Sequence, residues 1–178
     1  YLGQFLDHDL SLVIVNDFVQ KIDVSKLVNQ RTAIFDLDSV FDPPAVYDDQ
    51  GYLVLKVNQN GVLDVPRTPD GVQIMADVRN GENQIICQLQ ILFYKFYNRV
   101  LKEMKSKNLK KKGVKNVIED AKNITRYVWQ WLMVHTFLKL ACGPYFSSLF
   151  LENGEPNFNV IKPDKLGALN AEFSFAYY

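Results

Sequence analysis

The sequence has few cysteines, only two histidines and no surplus of either charge. Its 178 residues carry 20 basic and 20 acidic side chains. This balance argues against nucleic acid or an anionic membrane as a partner, because both are bound through a basic surplus or a basic face. No apolar run reaches the roughly 18 residues of a membrane span, and no signal-peptide pattern is visible. The composition, 48% hydrophobic, is that of an ordinary globular domain.

The two cysteines exclude a disulfide-rich scaffold. Cys87 and Cys142 are also too far apart in sequence to indicate a metal-binding motif. Buried free thiols are the favoured interpretation, and a single bridge between the two stays open.

The hydrophobic spacing predicts helices at residues 1–10, 83–107 and 114–140, the last one ended by Gly143-Pro144. The proline-bearing stretch from Asp42 to Pro69 rules out a regular helix or a continuous sheet, and predicts a long surface excursion. No internal repeat and no sustained strand alternation is evident. The predicted fold class is therefore mainly α.

The end of the chain also has a helical pattern. Residues 171–178 resemble a helix cut short, without a capping glycine or proline. The pattern suggests a piece of a longer protein.

A first cluster of polar residues lies in Gly3-Gln4-Phe5-Leu6-Asp7-His8-Asp9. On a helix, Gln4 and His8 share one face, whereas Asp9 is turned about 100° away from His8. One face can therefore serve a pocket while Asp9 contacts something else. A lone histidine on an apolar helix is more often a core residue with a satisfied hydrogen bond.

A second cluster places oxygen-bearing side chains at Thr32, Asp36 and Asp38, with a backbone carbonyl available at Ile34. A hard cation such as calcium prefers six to eight oxygen ligands. Because short acidic loops are common, this cluster alone is weak evidence for calcium.

A third cluster, Asp77-Val78-Arg79-Asn80-Gly81-Glu82-Asn83, comes just ahead of the second predicted helix. Taken singly, it is explained by a helix cap with favourable placement of charge at the helix dipole.

In their order and spacing, the three clusters together resemble the animal-type haem peroxidases (the peroxidase-cyclooxygenase superfamily), in particular the bacterial branch. The resemblance covers nearly the whole chain. The segments that carry the resemblance are residues 3–9, 31–41, 77–83, 121–143 and 172–178. It implies a mainly α, myeloperoxidase-like haem peroxidase fold with long irregular loops and little β structure. Residues 1–178 would be the distal part of one catalytic domain.

The resemblance implies roles for five residues around a haem b. His8 would be the distal acid-base histidine, Gln4 its neighbour in the pocket and Arg79 the distal arginine. An imidazole that titrates near neutrality can both accept and return the proton that O–O cleavage moves, and a fixed arginine stabilises the departing charge. Asp7 and Glu82 match the carboxylates that form ester links to haem in many members.

The resemblance also implies a calcium site. The positions that match its ligands are Asp9, Thr32, Ile34, Asp36 and Asp38, and Asp38 stands where many relatives have serine. Because Asp9 follows His8 directly, a bound ion would fix the helix that aims the imidazole. Calcium slightly favours an extracellular location.

The implied function is a haem peroxidase that reduces hydrogen peroxide and oxidises a small donor through a ferryl intermediate. Alternatives are a haem-dependent fatty-acid dioxygenase and a non-catalytic interaction module on the same fold; Arg79 and Asp7 favour the peroxidase. Neither His8 nor His135 is placed to be the proximal haem ligand. The expected partners are therefore peroxide, the donor and the remaining half of the peroxidase domain.

Overall fold

The computed structural model describes residues 1–13, 28–32, 34–106 and 114–143, and the backbone of 151–152 and 155–156. This part of the chain is mainly helical, as predicted. Its α-helices are α1 (Leu2–Leu10), α2 (Asp38–Phe41), α3 (Gln84–Ser106), α4 (Val114–Leu132) and α5 (Leu138–Cys142). The helices predicted at 1–10 and 83–107 are confirmed as α1 and α3. The helix predicted at 171–178 lies outside the described residues.

The third predicted helix is also confirmed, and it contains a π-helical turn that was not predicted. After α4 the chain forms a π-helical turn, Met133–Phe137, and then α5, which ends at Gly143 with φ of 65°. A π turn widens the helix locally, and the 3.6-residue periodicity of a sequence does not reveal it. The turn buries Met133 and brings the Phe137 ring against α1, where a β-carbon added to Gly3 would lie 3.2 Å from the ring.

Residues 46–75 form three successive β-hairpins at a ten-residue interval. The middle hairpin pairs β1 (Lys56–Val57) with β2 (Leu63–Asp64) antiparallel, in the register Val57 to Leu63. Isolated bridges pair Tyr47 with Leu53 and Arg67 with Gln73 at the equivalent positions. The hairpins recur in the structure, although no internal repeat was evident in the sequence.

The repeat is defined by its turns. Each turn ends in a glycine with positive φ, namely Gly51 (84°), Gly61 (76°) and Gly71 (86°). Each glycine N–H donates to the carbonyl three residues earlier, at Asp48, Asn58 and Thr68 respectively. Glycine is the only residue that all three units share, and one identity in ten leaves little signal in the sequence.

The hairpins are not merely a surface excursion. Leu53, Val65 and Met75 are almost fully buried and belong to the hydrophobic core. One side of the proline-bearing segment therefore packs against the helices.

A further short pair of strands, β3 (Leu151–Glu152) and β4 (Glu155–Pro156), is antiparallel.

The core between α1, α3 and α4 is built on aromatic rings. The rings of Phe5 and Phe93 stack with their centroids 5.4 Å apart. The Trp129 ring lies edge-on to both, with centroid distances of 5.7 Å to Phe5 and 5.3 Å to Phe93. Edge-to-face and offset arrangements of this kind are the favourable ones for aromatic pairs. Trp129 is fully buried among these rings, whereas Trp131 is 58% exposed.

Both cysteines are free. Cys87 is buried, as predicted, but Cys142 is exposed. Within the described residues, no helix is both long and apolar enough to cross a membrane.

Candidate functional site

Helix α1 forms the centre of the site because its two sides contact different parts of the chain. Its apolar residues Phe5 and Leu6 enter the core. His8 and Asp9 are fully buried beside them, although both are polar. Buried polar groups need partners, and those partners define the two halves of the site.

His8 is held through one ring nitrogen. Its Nδ1 lies 2.9 Å from Asn80 Oδ1, whereas its Nε2 is buried without a hydrogen-bond partner in the described structure. Burial lowers the pKa of His8; the Asn80 hydrogen bond opposes this shift, and the nearby charge of Arg79 adds to it. The imidazole is therefore neutral near pH 7 and presents one unused nitrogen.

The other two polar residues of the α1 motif, Gln4 and Asp7, are also hydrogen-bonded. Gln4 Nε2 donates to Glu82 Oε2 at 3.0 Å, which joins the first and third clusters of the sequence. The Ser11 hydroxyl donates to Asp7 Oδ1 at 2.9 Å. Gln4, His8 and Glu82 are therefore brought together, while Asp7 bonds within its own helix end.

Arg79 binds the end of α1. Its guanidinium donates to the Ser11 carbonyl at 2.6 Å and to the His8 carbonyl at 3.3 Å. It also donates two hydrogen bonds to the Asp77 carboxylate, at 2.7 and 3.0 Å. A cation is favourable at the C-terminus of a helix, where carbonyl groups lack partners. The arginine that the resemblance assigns to charge stabilisation thus also anchors the His8 helix.

Three carboxylates meet on the other side of α1. One oxygen from each of Asp9, Asp36 and Asp38 lies within 4.8 Å of the others. Leu37, between two of them, has φ of 56° in the left-handed region, which a non-glycine residue adopts at a cost of about 1–2 kcal/mol. The loop is thus bent at Leu37, and both of its carboxylates reach Asp9.

The remaining predicted metal ligands border this acidic cluster. The Thr32 hydroxyl donates to Asp36 Oδ2 at 2.6 Å. The Ile34 carbonyl accepts from the Asp36 N–H at 3.0 Å, and the Ile34 side chain is 60% exposed. Thr32 and Ile34 therefore lie at the cluster, where each is hydrogen-bonded to Asp36.

The electrostatics of the acidic cluster favour a cation. Burial raises the pKa of Asp9 to about 7, against a hydrogen bond from Trp129 that lowers it. Burial likewise raises the pKa of Asp38 to about 6, although Arg31 opposes the shift. Asp38 Oδ1 accepts no hydrogen bond, and Arg31 Nη1 lies 3.5 Å from it. A bound cation would supply the positive charge that these oxygens lack.

Comparisons of the chain with family models, with curated proteins and with solved structures find no match. The resemblance to haem peroxidases therefore rests on the sequence motifs alone.

Asp77 links the acidic cluster to Arg79, a connection that the sequence did not suggest. Its carboxylate accepts from Arg31 and from Arg79, each at 2.7 Å. Burial by itself would raise the pKa of Asp77, but the hydrogen bonds from Arg79 and Arg31 outweigh it and lower the pKa. With all groups ionised, the four linked carboxylates and two guanidinium groups leave two negative charges, which one divalent cation would balance.

Sequence reasoning also missed Asn80, Ser39 and Trp129. Asn80 and Ser39 lie inside motifs of the resemblance, but nothing in their spacing marked a role. Trp129 Nε1 donates to Asp9 Oδ2 at 2.8 Å across 120 residues of sequence. Only an alignment in which Trp129 changes together with Asp9 could have revealed that contact.

A groove of about 590 Å³ opens beside Glu82. Its lining includes Arg67, Gln73, Glu82 and Cys87, and it lies between the hairpins and the first turn of α3. A carboxylate can form an ester link only to a group that has room beside it. The groove gives Glu82 that room.

Proposed function

We propose that this chain is the distal part of a haem peroxidase that reduces hydrogen peroxide, with His8 as the acid-base residue. The observation that carries the proposal is the buried His8 imidazole, whose Nε2 has no partner among the described residues. A buried polar atom without a partner is costly, and its presence at a cluster of matched motifs indicates a missing ligand.

The proposed cofactor is haem b, held through Glu82 and Asp7. Glu82 lies next to Gln4 and borders the groove, so it can be reached by a haem edge; Asp7 is the second carboxylate proposed to hold the cofactor. Haem, when bound, supplies the iron at which peroxide is held and reduced. The proximal ligand is proposed to come from the other half of the peroxidase domain, because His135 is exposed and stacks on Trp131.

The proton chemistry belongs to His8. Because burial keeps the imidazole neutral, Nε2 can accept a proton from the nearer peroxide oxygen and return it to the oxygen that leaves as water. Arg79 donates to the His8 carbonyl and would stabilise the negative charge that develops on the departing oxygen. Gln4, one helical turn before His8, would orient the peroxide by hydrogen bonding.

We further propose that Asp9, Asp36 and Asp38 bind calcium, with Thr32 and the Ile34 carbonyl completing the site. Calcium takes carboxylate, hydroxyl and carbonyl oxygens in flexible geometry. The ion would hold Asp9, and with it the orientation of the adjacent His8.

The test is the absorption spectrum of the full-length protein reconstituted with haem b, before and after one equivalent of peroxide. We expect a Soret band that shifts rapidly in the wild type and at least about 100-fold more slowly in His8→Ala, the usual size of an acid-base contribution. His135→Ala is the matched control and should react like the wild type.

Three outcomes would overturn the proposal. A protein that binds no haem would be an interaction module. A haem protein that oxygenates fatty acids but ignores peroxide would be a dioxygenase. Equal rates for His8→Ala and the wild type would remove His8 from the reaction.

A further inference from the structure

The side chain of Asn80 is oriented by two groups other than His8. Its amide nitrogen donates to the Ser39 carbonyl at 3.2 Å and to Gln90 Oε1 at 2.9 Å. A backbone carbonyl can only accept a hydrogen bond. The amide nitrogen must therefore face Ser39, and the amide oxygen must face the opposite way, toward His8.

This orientation decides which nitrogen of His8 carries the proton. Asn80 Oδ1 can only accept, and it lies 2.9 Å from His8 Nδ1. A neutral imidazole has one N–H and one bare nitrogen, and the partner of one nitrogen fixes the state of the other. His8 Nδ1 must therefore carry the hydrogen.

We infer that Asn80 is a positioning residue that holds neutral His8 in the Nδ1–H tautomer, so that the buried Nε2 is the proton acceptor of the site. Both partners of this hydrogen bond, His8 and Asn80, are fully buried, so bulk water does not compete for Nδ1. The use of this acceptor on peroxide rests on the proposed function, but the tautomer itself does not.

A series of hydrogen bonds through Asn80 and Ser39 also connects His8 to the acidic cluster, in addition to the peptide bond between His8 and Asp9. Ser39, whose carbonyl orients Asn80, donates its hydroxyl to Asp9 Oδ1 at 3.4 Å. Ser39 lies in α2, directly after Asp38. A shift of α2 would therefore move the Asn80 amide as well as the acidic cluster.

The test is a long-range ¹H–¹⁵N correlation spectrum of the haem-free chain at about pH 8.5, two units above the ordinary pKa of imidazole. The chain has two histidines, so a His135→Gln variant assigns the signals of His8. We expect a protonated Nδ1 and a bare Nε2 in the wild type. In Asn80→Leu we expect this pattern to be lost in favour of the Nε2–H form that free histidine prefers in water.

The matched control is Asn98→Leu. It makes the same substitution at a residue that bonds the Leu53 backbone instead of His8, and it should keep the Nδ1–H pattern.

An Nε2–H form in the wild type would overturn the inference, even if Asn80→Leu fails to fold. An Nδ1–H form that survives in folded Asn80→Leu would overturn it as well. Because these spectra involve neither haem nor peroxide, a failed peroxidase assay would leave the tautomer assignment standing.

Discussion

Asp77 is a buried carboxylate shared by two arginines. Its side chain is 2% exposed and that of Arg31 is 7% exposed. Removing one member of a buried ionic group leaves the others buried without compensation. We therefore expect Asp77→Ala to lower the free energy of unfolding by about 3 kcal/mol, measured by urea denaturation.

The control for this prediction is Asp64→Ala. Asp64 pairs with Arg67, whose side chain is 44% exposed, and exposed pairs contribute no more than about 1 kcal/mol. Equal losses for the two variants would contradict the role of Asp77 as the link between Arg31 and Arg79.

At the scale of the elements, the hairpins differ in what their turns contact. Gly51 and Gly61 have similar positive φ, but a β-carbon on Gly51 would collide with the Ile118 side chain of α4, whereas one on Gly61 meets nothing within 4 Å. Gly61→Ala should cost about 1 kcal/mol for its backbone conformation. Gly51→Ala should cost at least about 1 kcal/mol more, because it also overpacks the contact with α4.

Urea denaturation of both variants measures the difference. Adding Ile118→Ala to each glycine variant separates the two causes, because residues in contact give non-additive effects. The added substitution should reduce the cost of Gly51→Ala but leave that of Gly61→Ala unchanged. Equal costs at Gly51 and Gly61 would show that the first hairpin does not pack against α4 as described.

At the scale of the whole molecule, the acidic cluster joins segments that are distant in sequence. Asp9 belongs to α1, Asp38 opens α2, and Trp129 of α4 bonds Asp9. If calcium binds there, it stabilises the folded chain by mass action, by about 2.7 kcal/mol at 100 times its Kd. We expect the urea midpoint to rise with calcium in the wild type but not in Asp36→Asn.

Asp49→Asn, which changes an exposed carboxylate in the first hairpin turn, should respond to calcium like the wild type. Terbium, a luminescent substitute for calcium, locates the ion directly. Its emission, excited through tryptophan, should be lost in Trp129→Phe and kept in Trp131→Phe. Loss in neither variant would place the ion away from Asp9.

The local features of the site could be predicted from the sequence. The hydrophobic spacing set α1 and α3 to within a residue or two, and the 100° step between His8 and Asp9 separated their partners, Asn80 and Trp129. These features depend on residues within a few turns of one another, so helical geometry alone fixes them.

Contacts across the chain were decided by the tertiary structure. His8 and Asn80 are 72 residues apart, and Arg79 and Ser11, at the end of α1, are 68 residues apart. The π turn leaves no mark in the hydrophobic periodicity, and the three hairpins share only one glycine at each ten-residue step. The sequence by itself determined which side chains are able to do chemistry. Packing decided which atom of each side chain remains available, because a hydrogen bond to a distant residue occupies one polar atom and leaves the other without a partner, as at His8.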